Sequence, residues 1–311
     1  MTTTTAEGSD HPQARPPAGL PHGRAVELPG RGTTWVHEHR GPVRGFGTEP
    51  GPPPLPLVLL HGWTVTGAVN WYPSFAALGR HHRVVSIDHR GHGRGVRTWR
   101  RFRLEDCADD VVALADELGI DRFVPVGYSM GGTVAQLLWR RHRDRVAGLV
   151  LGATAGAFRE RPAEQVVFSL LGGLSVAARL TPGVLRTRVS QRLAVERYDG
   201  TATGRWAMGE IARNDPRMVA EAGHAIGRFH SLDWIGGVDV PTAVVVTQHD
   251  NVVPTRRQRQ LAAAIPGADV YPVPGDHGAC VRQPHAFVPV LAAACRDVSD
   301  RARARDRASS R

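Results

Sequence analysis

A single serine sits in the glycine-rich stretch GYSMGG, residues 127–132, directly after the apolar run FVPV and before the helix-like TVAQLLWR. Gly127, Gly131 and Gly132 lose more conformational entropy on folding than bulkier residues would, so their clustering implies a backbone shape that side chains would block. G-x-S-x-G at a strand-to-helix junction lifts a serine hydroxyl onto a sharp, strained turn, and the helix N-terminus favours negative charge beside it. Such a hydroxyl attacks an electrophilic carbon only if a base accepts its proton. Asp250 lies just past the apolar run TAVVVTQ, and His277 lies in the loop VPGDHGAC past DVYPV. Ser129, Asp250 and His277 thus follow one another at the carboxyl ends of strands, where the functional residues of open α/β sheets gather. Each has a plainer reading too: a glycine turn with an idle serine, a turn-forming aspartate, a loop histidine. Their joint placement is what favours a nucleophile, an orienting acid and a general base.

These residues meet only if the strands before them lie side by side. RAVELPGRGTTWVHEHRG reads as two short strands around Gly30-Arg31-Gly32; LVLL (57–60), HRVVSID (82–88), RFVPVG (122–127), VAGLVLGA (146–153), TAVVVTQ (242–248) and DVYPV (269–273) supply the rest. Apolar runs without alternation belong to strands buried on both faces, hence to a mostly parallel central sheet flanked by helices. One such helix is LEDCADDVVALADELG (104–119), with Cys107, Val111, Leu114, Ala115 and Leu118 on one face and Gly119 as its stop. The rhythm breaks at 156–235, which holds helical stretches and no clear strand, as an inserted helical cap would. The expected organisation is an unstructured N-terminal segment (1–23), a core (24–155 and 236–297), the insertion (156–235) and a solvated charged tail (298–311).

Length and composition narrow the functions. A chain of 311 residues with 41% hydrophobic content can bury a sizeable core. The net charge of +10 comes from 39 basic and 29 acidic residues, every basic one an arginine, and the arginines are scattered among acids. A nucleic-acid partner would need them clustered. Cys107, Cys280 and Cys295 have neither metal-site nor disulfide spacing, which favours a reducing, cytoplasmic setting. No signal peptide and no membrane-spanning run stands out. His37, His39, His81, His82 and His89 lack a ligand pattern, so neither metal nor cofactor is expected. Among the aromatic and methionine residues of the insertion, Phe158, Phe168, Trp206, Met208, Met218, Phe229 and Trp234 read mainly as its core, with some available to line an apolar pocket.

Over about residues 24–297 the chain resembles the α/β-hydrolase superfamily. The resemblance rests on His61-Gly62-Trp63, on Asp88-His89-Arg90-Gly91-His92-Gly93, on the serine turn and on the Asp250 and His277 loops. It implies an α/β-hydrolase fold in which Ser129 attacks a carbonyl, His277 takes its proton and returns it to the leaving group, and Asp250 holds the imidazole. It also implies an oxyanion hole made by the backbone N–H groups of Met130 and Trp63, although His-Gly-Trp replaces the HGGG of some esterases. By the same resemblance Asp88 and His92 belong to a structural turn. Asp276 adjoins His277 without being its acid, and no carboxylate in LVLGATAG (149–156) competes with Asp250. The implied activity is hydrolysis of an ester, thioester or related carbonyl of a small acyl or apolar substrate through an acyl-enzyme. Carbon–carbon bond hydrolases, cofactor-free haloperoxidase-like enzymes and acyltransferases share the triad; serine at the turn argues against epoxide hydrolases and haloalkane dehalogenases. A non-catalytic ligand-binding relative has no need of all three residues. No motif specifies the oligomeric state.

Overall fold

A computed structural model describes residues 15–41, 54–159 and 201–309, with isolated positions 166, 170 and 173 between. The fold is an eight-stranded sheet in the order β1-β2-β4-β3-β5-β6-β7-β8. The strands are β1 (Gly23–Leu28), β2 (Gly32–His39), β3 (Leu57–Leu60), β4 (Val84–Ile87), β5 (Val124–Tyr128), β6 (Leu149–Gly152), β7 (Thr242–Thr247) and β8 (Asp269–Val273). Only the pairings β1–β2 and β2–β4 are antiparallel. From β4 through β8 the strands run parallel, so their carboxyl ends share one edge. β6 is shorter than the apolar run around it; Val146 adds only an isolated bridge to Phe123.

The apolar runs feed both faces. Along β3, Val58 and Leu60 enter one core cluster while Leu57 and Leu59 enter the other, and β7 repeats this with Val244 and Val246 against Ala243 and Val245. The first cluster lies under α3 (Leu104–Glu117) and α4 (Met130–Arg141). The second lies under α1 (Gly67–Trp71), α2 (Phe75–Gly79) and the C-terminal helix. α3 presents Cys107, Val111, Leu114 and Ala115 inward and ends before Gly119, whose φ of +60° breaks the helix.

Between β6 and β7 the described residues form α5 (Ala202–Ile211) and α6 (Pro216–Arg228). Thr201 and Asp215 cap them by accepting from the N–H groups of Gly204 and of Arg217 and Met218. The two ends of this excursion lie together: Ala157 bridges to His230, and the Ser231 N–H donates to the Gly156 carbonyl. Phe158 and Phe229 pack there as aromatic neighbours, and Trp234 stacks on Trp139 of α4. Residues 160–200 of the expected insertion, Phe168 among them, lie outside the described residues except for positions 166, 170 and 173.

α7 (Thr255–Ala264), α8 (Ala279–Arg282) and α9 (Pro284–Ser309) complete the chain. The expected solvated tail from 298 is therefore corrected: α9 continues through it to Ser309. Val298 and Ala302 are buried against the second cluster, while Arg301 donates to the Thr242 carbonyl and Arg122 pairs with Asp306. The arginines hold the sheet and α9 together where a free tail was expected. At the other end, residues 1–14 lie outside the described residues, but Leu20 packs on the core and Gly23 already begins β1. The expectation of an unstructured segment is therefore corrected for Leu20 and Gly23. No described helix is long and apolar enough to cross a membrane.

Candidate active site

β5 delivers Ser129 into an abrupt turn. Its φ of 54° and ψ of −115° place a non-glycine residue in left-handed territory, a strained conformation that persists only when the surroundings enforce it. They do: the Ser129 N–H donates to the Gly152 carbonyl at 2.9 Å, and its own carbonyl accepts from the Gly132 N–H and the Thr154 hydroxyl. The glycines make the turn sterically feasible. A Cβ on Gly127 would strike the Gly131 carbonyl, and one on Gly131 would strike the Leu60 carbonyl of β3. A serine before a helix ordinarily caps it. Ser129 makes no side-chain cap to α4, which leaves its hydroxyl for another partner.

That partner is His277. Its Nε2 lies 3.0 Å from Ser129 Oγ, and its Nδ1 lies 2.8 Å from Asp250 Oδ2. Residues 148 apart in sequence are thereby within proton-transfer distance. With the Nδ1 proton directed at the carboxylate, Nε2 is left to accept the serine proton. The Tyr128 hydroxyl donates to the His277 carbonyl at 2.9 Å and steadies the loop.

Asp250 is held independently of the histidine. Its Oδ1 accepts the N–H groups of Val252 and Val253, and its Oδ2 accepts the Thr247 hydroxyl and the Gln258 amide as well as His277. Burial pushes this carboxyl upward, but the hydrogen bonds and charge of His277, with those of Thr247 and Val253, outweigh it and hold it below 3.8. The side chain is fully shielded from solvent, whereas His277 remains 22% exposed.

The turn after β3 lies against Ser129: a Cβ on Gly62 would stand 3.5 Å from the serine Cβ. His61 is buried, and its Nε2 accepts the His89 N–H at 2.9 Å. The ring proton is therefore on Nδ1, which donates to the Gly62 carbonyl at 2.7 Å. In a trans peptide the next N–H, that of Trp63, points the opposite way from this carbonyl. Among the described residues neither the Trp63 nor the Met130 N–H makes another hydrogen bond. Met130 is the first residue of α4, at its positive end.

The other sequence candidates lie elsewhere. Asp276 pairs with Arg282 and accepts the Gly278 N–H. Asp88 accepts the N–H groups of Gly67 and Arg94, and burial raises its carboxyl to about 6. His92 is buried beside His61. Among the described residues no group of three His, Cys, Asp or Glu side chains could hold a metal ion. Cys107, Cys280 and Cys295 are free and buried, and burial pushes the Cys280 thiol up to about 12. Trp206 packs on Tyr72. Sequence reading did not single out Thr247, Gln258 or Tyr128, which hold Asp250 and His277. Gln258 lies in polar TRRQRQ with no signal of its own, although its place eight residues past Asp250 puts it one turn into the next helix.

A sequence model described as alpha/beta hydrolase fold matches residues 56–283. The protein named "Putative carbamate hydrolase RutD" of Caulobacter sp. (strain K31) is 30% identical over 239 residues, spanning 70% of this chain and 82% of its own. Among solved structures, the enol-lactonase from Burkholderia xenovorans LB400 superposes with a TM-score of 0.65 at 25% identity, covering 86% of this chain and 98% of that one. The bromoperoxidase from Bacillus anthracis gives 0.69 at 19% identity, covering 89% and 100%, a likeness of fold.

Proposed function

The chain belongs to the alpha/beta hydrolase family and is an enzyme of that family; from this premise we propose that it cleaves a carboxylic ester, thioester or related carbonyl through an acyl-enzyme on Ser129. The observation that carries the reading is the continuous chain of hydrogen bonds Ser129 Oγ–His277 Nε2, His277 Nδ1–Asp250 Oδ2. His277 takes the serine proton as Oγ attacks the carbonyl carbon, then protonates the leaving group. Water, activated by the same imidazole, releases the acid. Asp250 holds the tautomer and stabilises the imidazolium. Negative charge on the substrate oxygen is met by the N–H groups of Met130 and Trp63, each such donor contributing roughly 3 kcal/mol to the transition state.

α5 and α6 belong, in this reading, to a cap inserted between β6 and β7, with α6 reaching the loop after β3 through the bond from the Trp63 indole to the Val219 carbonyl. The names of the relatives are in keeping with the proposal, since a carbamate and an enol-lactone both carry a carbonyl bonded to a heteroatom leaving group. The substrate class is a small acyl compound, and the free cysteines suit a reducing compartment. The test is turnover of a panel of chromogenic esters, thioesters, lactones and carbamates. Ser129→Ala should lower kcat by roughly 10⁴- to 10⁶-fold and abolish labelling by a fluorophosphonate. Wild-type turnover no faster than that of Ser129→Ala on every substrate would refute the activity. Labelling that survives the substitution would refute the nucleophile.

A further inference from the structure

The loop after β3 is gripped from the far side by the segment that joins α5 to α6. Thr64, next to Trp63, has a φ of +67°, an outlier for a β-branched residue and one that the chain would leave if released. Its carbonyl accepts the side-chain N–H of Asn214 at 2.7 Å. The Asn214 oxygen in turn accepts the Gly93 N–H at 2.7 Å. One amide thus clamps the loop at Thr64 to the loop at Gly93, with its orientation set by a backbone acceptor on one side and a backbone donor on the other. Asn214 is itself fixed, because its neighbour Asp215 donates its N–H to the Gly91 carbonyl and caps α6. The Trp63 indole N–H adds a second tie, to the Val219 carbonyl of α6 at 2.8 Å. On the inner side, His61 holds the Gly62 carbonyl and Asn70 the Gly62 N–H.

We propose that Asn214 is a positioning residue for the oxyanion side of the site. By holding Thr64 in its left-handed conformation it fixes the direction of the Trp63 N–H, so that a segment between β6 and β7 takes part in stabilising the transition state without touching substrate. The inference rests on the reading of the Trp63 N–H as an oxyanion donor. His61 and Asn70 act on Gly62 and the indole bond on the Trp63 side chain, whereas the Asn214 clamp acts on Thr64 itself. Loss of an oxyanion donor lowers kcat on the order of 10²- to 10³-fold. A donor that is misaimed and still present should lower it by about 10-fold or more, with little change in KM.

The experiment compares wild type, Asn214→Ala, Asn214→Asp and Asn214→Ala/Thr64→Gly for kcat and KM on an activated ester. It also measures Ki for an aryl trifluoromethyl ketone, which forms a tetrahedral oxyanion adduct with the serine. Asn214→Asp is isosteric and keeps the bond from Gly93 while replacing the donor to Thr64 with a carboxylate oxygen that cannot donate, so it guards against a variant that fails to fold. Both single variants should show reduced kcat at similar KM, and a Ki for the ketone weakened by the same factor. Thr64→Gly should restore most of both in the Asn214→Ala background, because glycine adopts the positive φ without a clamp. Unchanged kcat in both single variants would overturn the proposal. So would a fall in kcat with Ki unaltered, or no rescue by glycine; all three leave the Trp63 reading intact. A wild-type enzyme that turns over the ester but does not bind the ketone would overturn the underlying oxyanion reading instead.

Discussion

Lowering the pH from 7 to 5 should destabilise this protein through imidazoles that are shielded from water. His61, His89 and His92 are buried, their rings 4.6 Å (His61–His89) and 5.2 Å (His61–His92) apart. Burial is the leading cause in each case: it lowers His89 to about 3 and His92 to about 4, and holds His61 well below 6.5, with repulsion between the neighbouring rings adding to the effect on His61 and His89. The sign follows from proton counting. In the unfolded chain these groups take up protons near the ordinary value of about 6.5, while in the fold they stay neutral to much lower pH. The unfolded state therefore binds more protons below that value, and stability falls as pH falls, levelling only at the folded values. At roughly 1.4 kcal/mol per pH unit, His89 and His92 each cost about 2 kcal/mol by pH 5, or about 4 together, and His61 adds in the same direction. Asp88 opposes this, since its folded value of about 6 means that acidification relieves part of its buried charge, returning about 1 kcal/mol. Asp250, held below 3.8, takes up its proton beneath this window. His37 and His82 are also buried and lowered, and push the same way as the trio. The net loss of roughly 3 kcal/mol from His89, His92 and Asp88 is a large part of the whole stability of many domains, about 5–15 kcal/mol. Urea unfolding followed by tryptophan fluorescence at pH 7, 6 and 5 measures it as a falling midpoint at constant slope. His89→Leu sharpens the test, because neither ring nitrogen of His89 has a hydrogen-bond partner among the described residues. The substitution should remove the share of His89 in the pH-dependent loss, about 2 kcal/mol. A midpoint that stays flat from pH 7 to 5, or an unaltered pH slope in His89→Leu, would refute the reasoning.

Other outcomes follow from single contacts. In Asp250→Asn the amide oxygen goes to the Val252 and Val253 N–H groups, leaving its NH₂ facing His277 Nδ1; the imidazole is driven to the wrong tautomer, and kcat should fall about 10⁴-fold by steady-state assay while the fold persists. Arg217 is buried, pairs with buried Glu221 at 3.1 Å, and also donates to the Thr98 carbonyl. Arg217→Ala should cost about 3–5 kcal/mol in chemical denaturation, with Arg217→Met/Glu221→Gln much closer to wild type. Gly131→Ala places a methyl against the Leu60 and His61 backbone, which cannot yield as a side chain can. Its yield of folded protein should collapse, whereas a normal melting temperature would show that β3 and α4 can separate.

Ser129, Asp250 and His277 were legible because each follows an apolar run that only a buried strand explains, and because strand ends of a parallel sheet converge. The sheet was legible for the same reason. α9 was not: DVSDRARARDRASS reads as solvated because arginine dominates it, yet Cys295, Val298 and Ala302 recur at helical spacing and are buried. The arginines reach past the helix to backbone carbonyls of the sheet, an interaction with no signature in local sequence. Asn214 was invisible for a related reason, since the groups it joins, Thr64 and Gly93, lie 150 and 121 positions away. Gln258 and Thr247 likewise become meaningful only once β7 and α7 are packed.

The stitched ends of the excursion between β6 and β7 carry a consequence for how this protein can change. Because the Ser231 N–H donates to the Gly156 carbonyl and Ala157 bridges to His230, the chain leaves and re-enters the core at neighbouring points, and α5 and α6 are tied to the core besides, through Asn214, Asp215 and Val219. Doubling the length of a chain closed between such points costs only about 0.6 kcal/mol in closure entropy. A change in the length of chain between those neighbouring points is therefore a small entropic burden on the fold. If α5, α6 and the Asn214 clamp are kept, the connection between β6 and β7 can change in length while the sheet and the geometry of Ser129, His277 and Asp250 remain as they are.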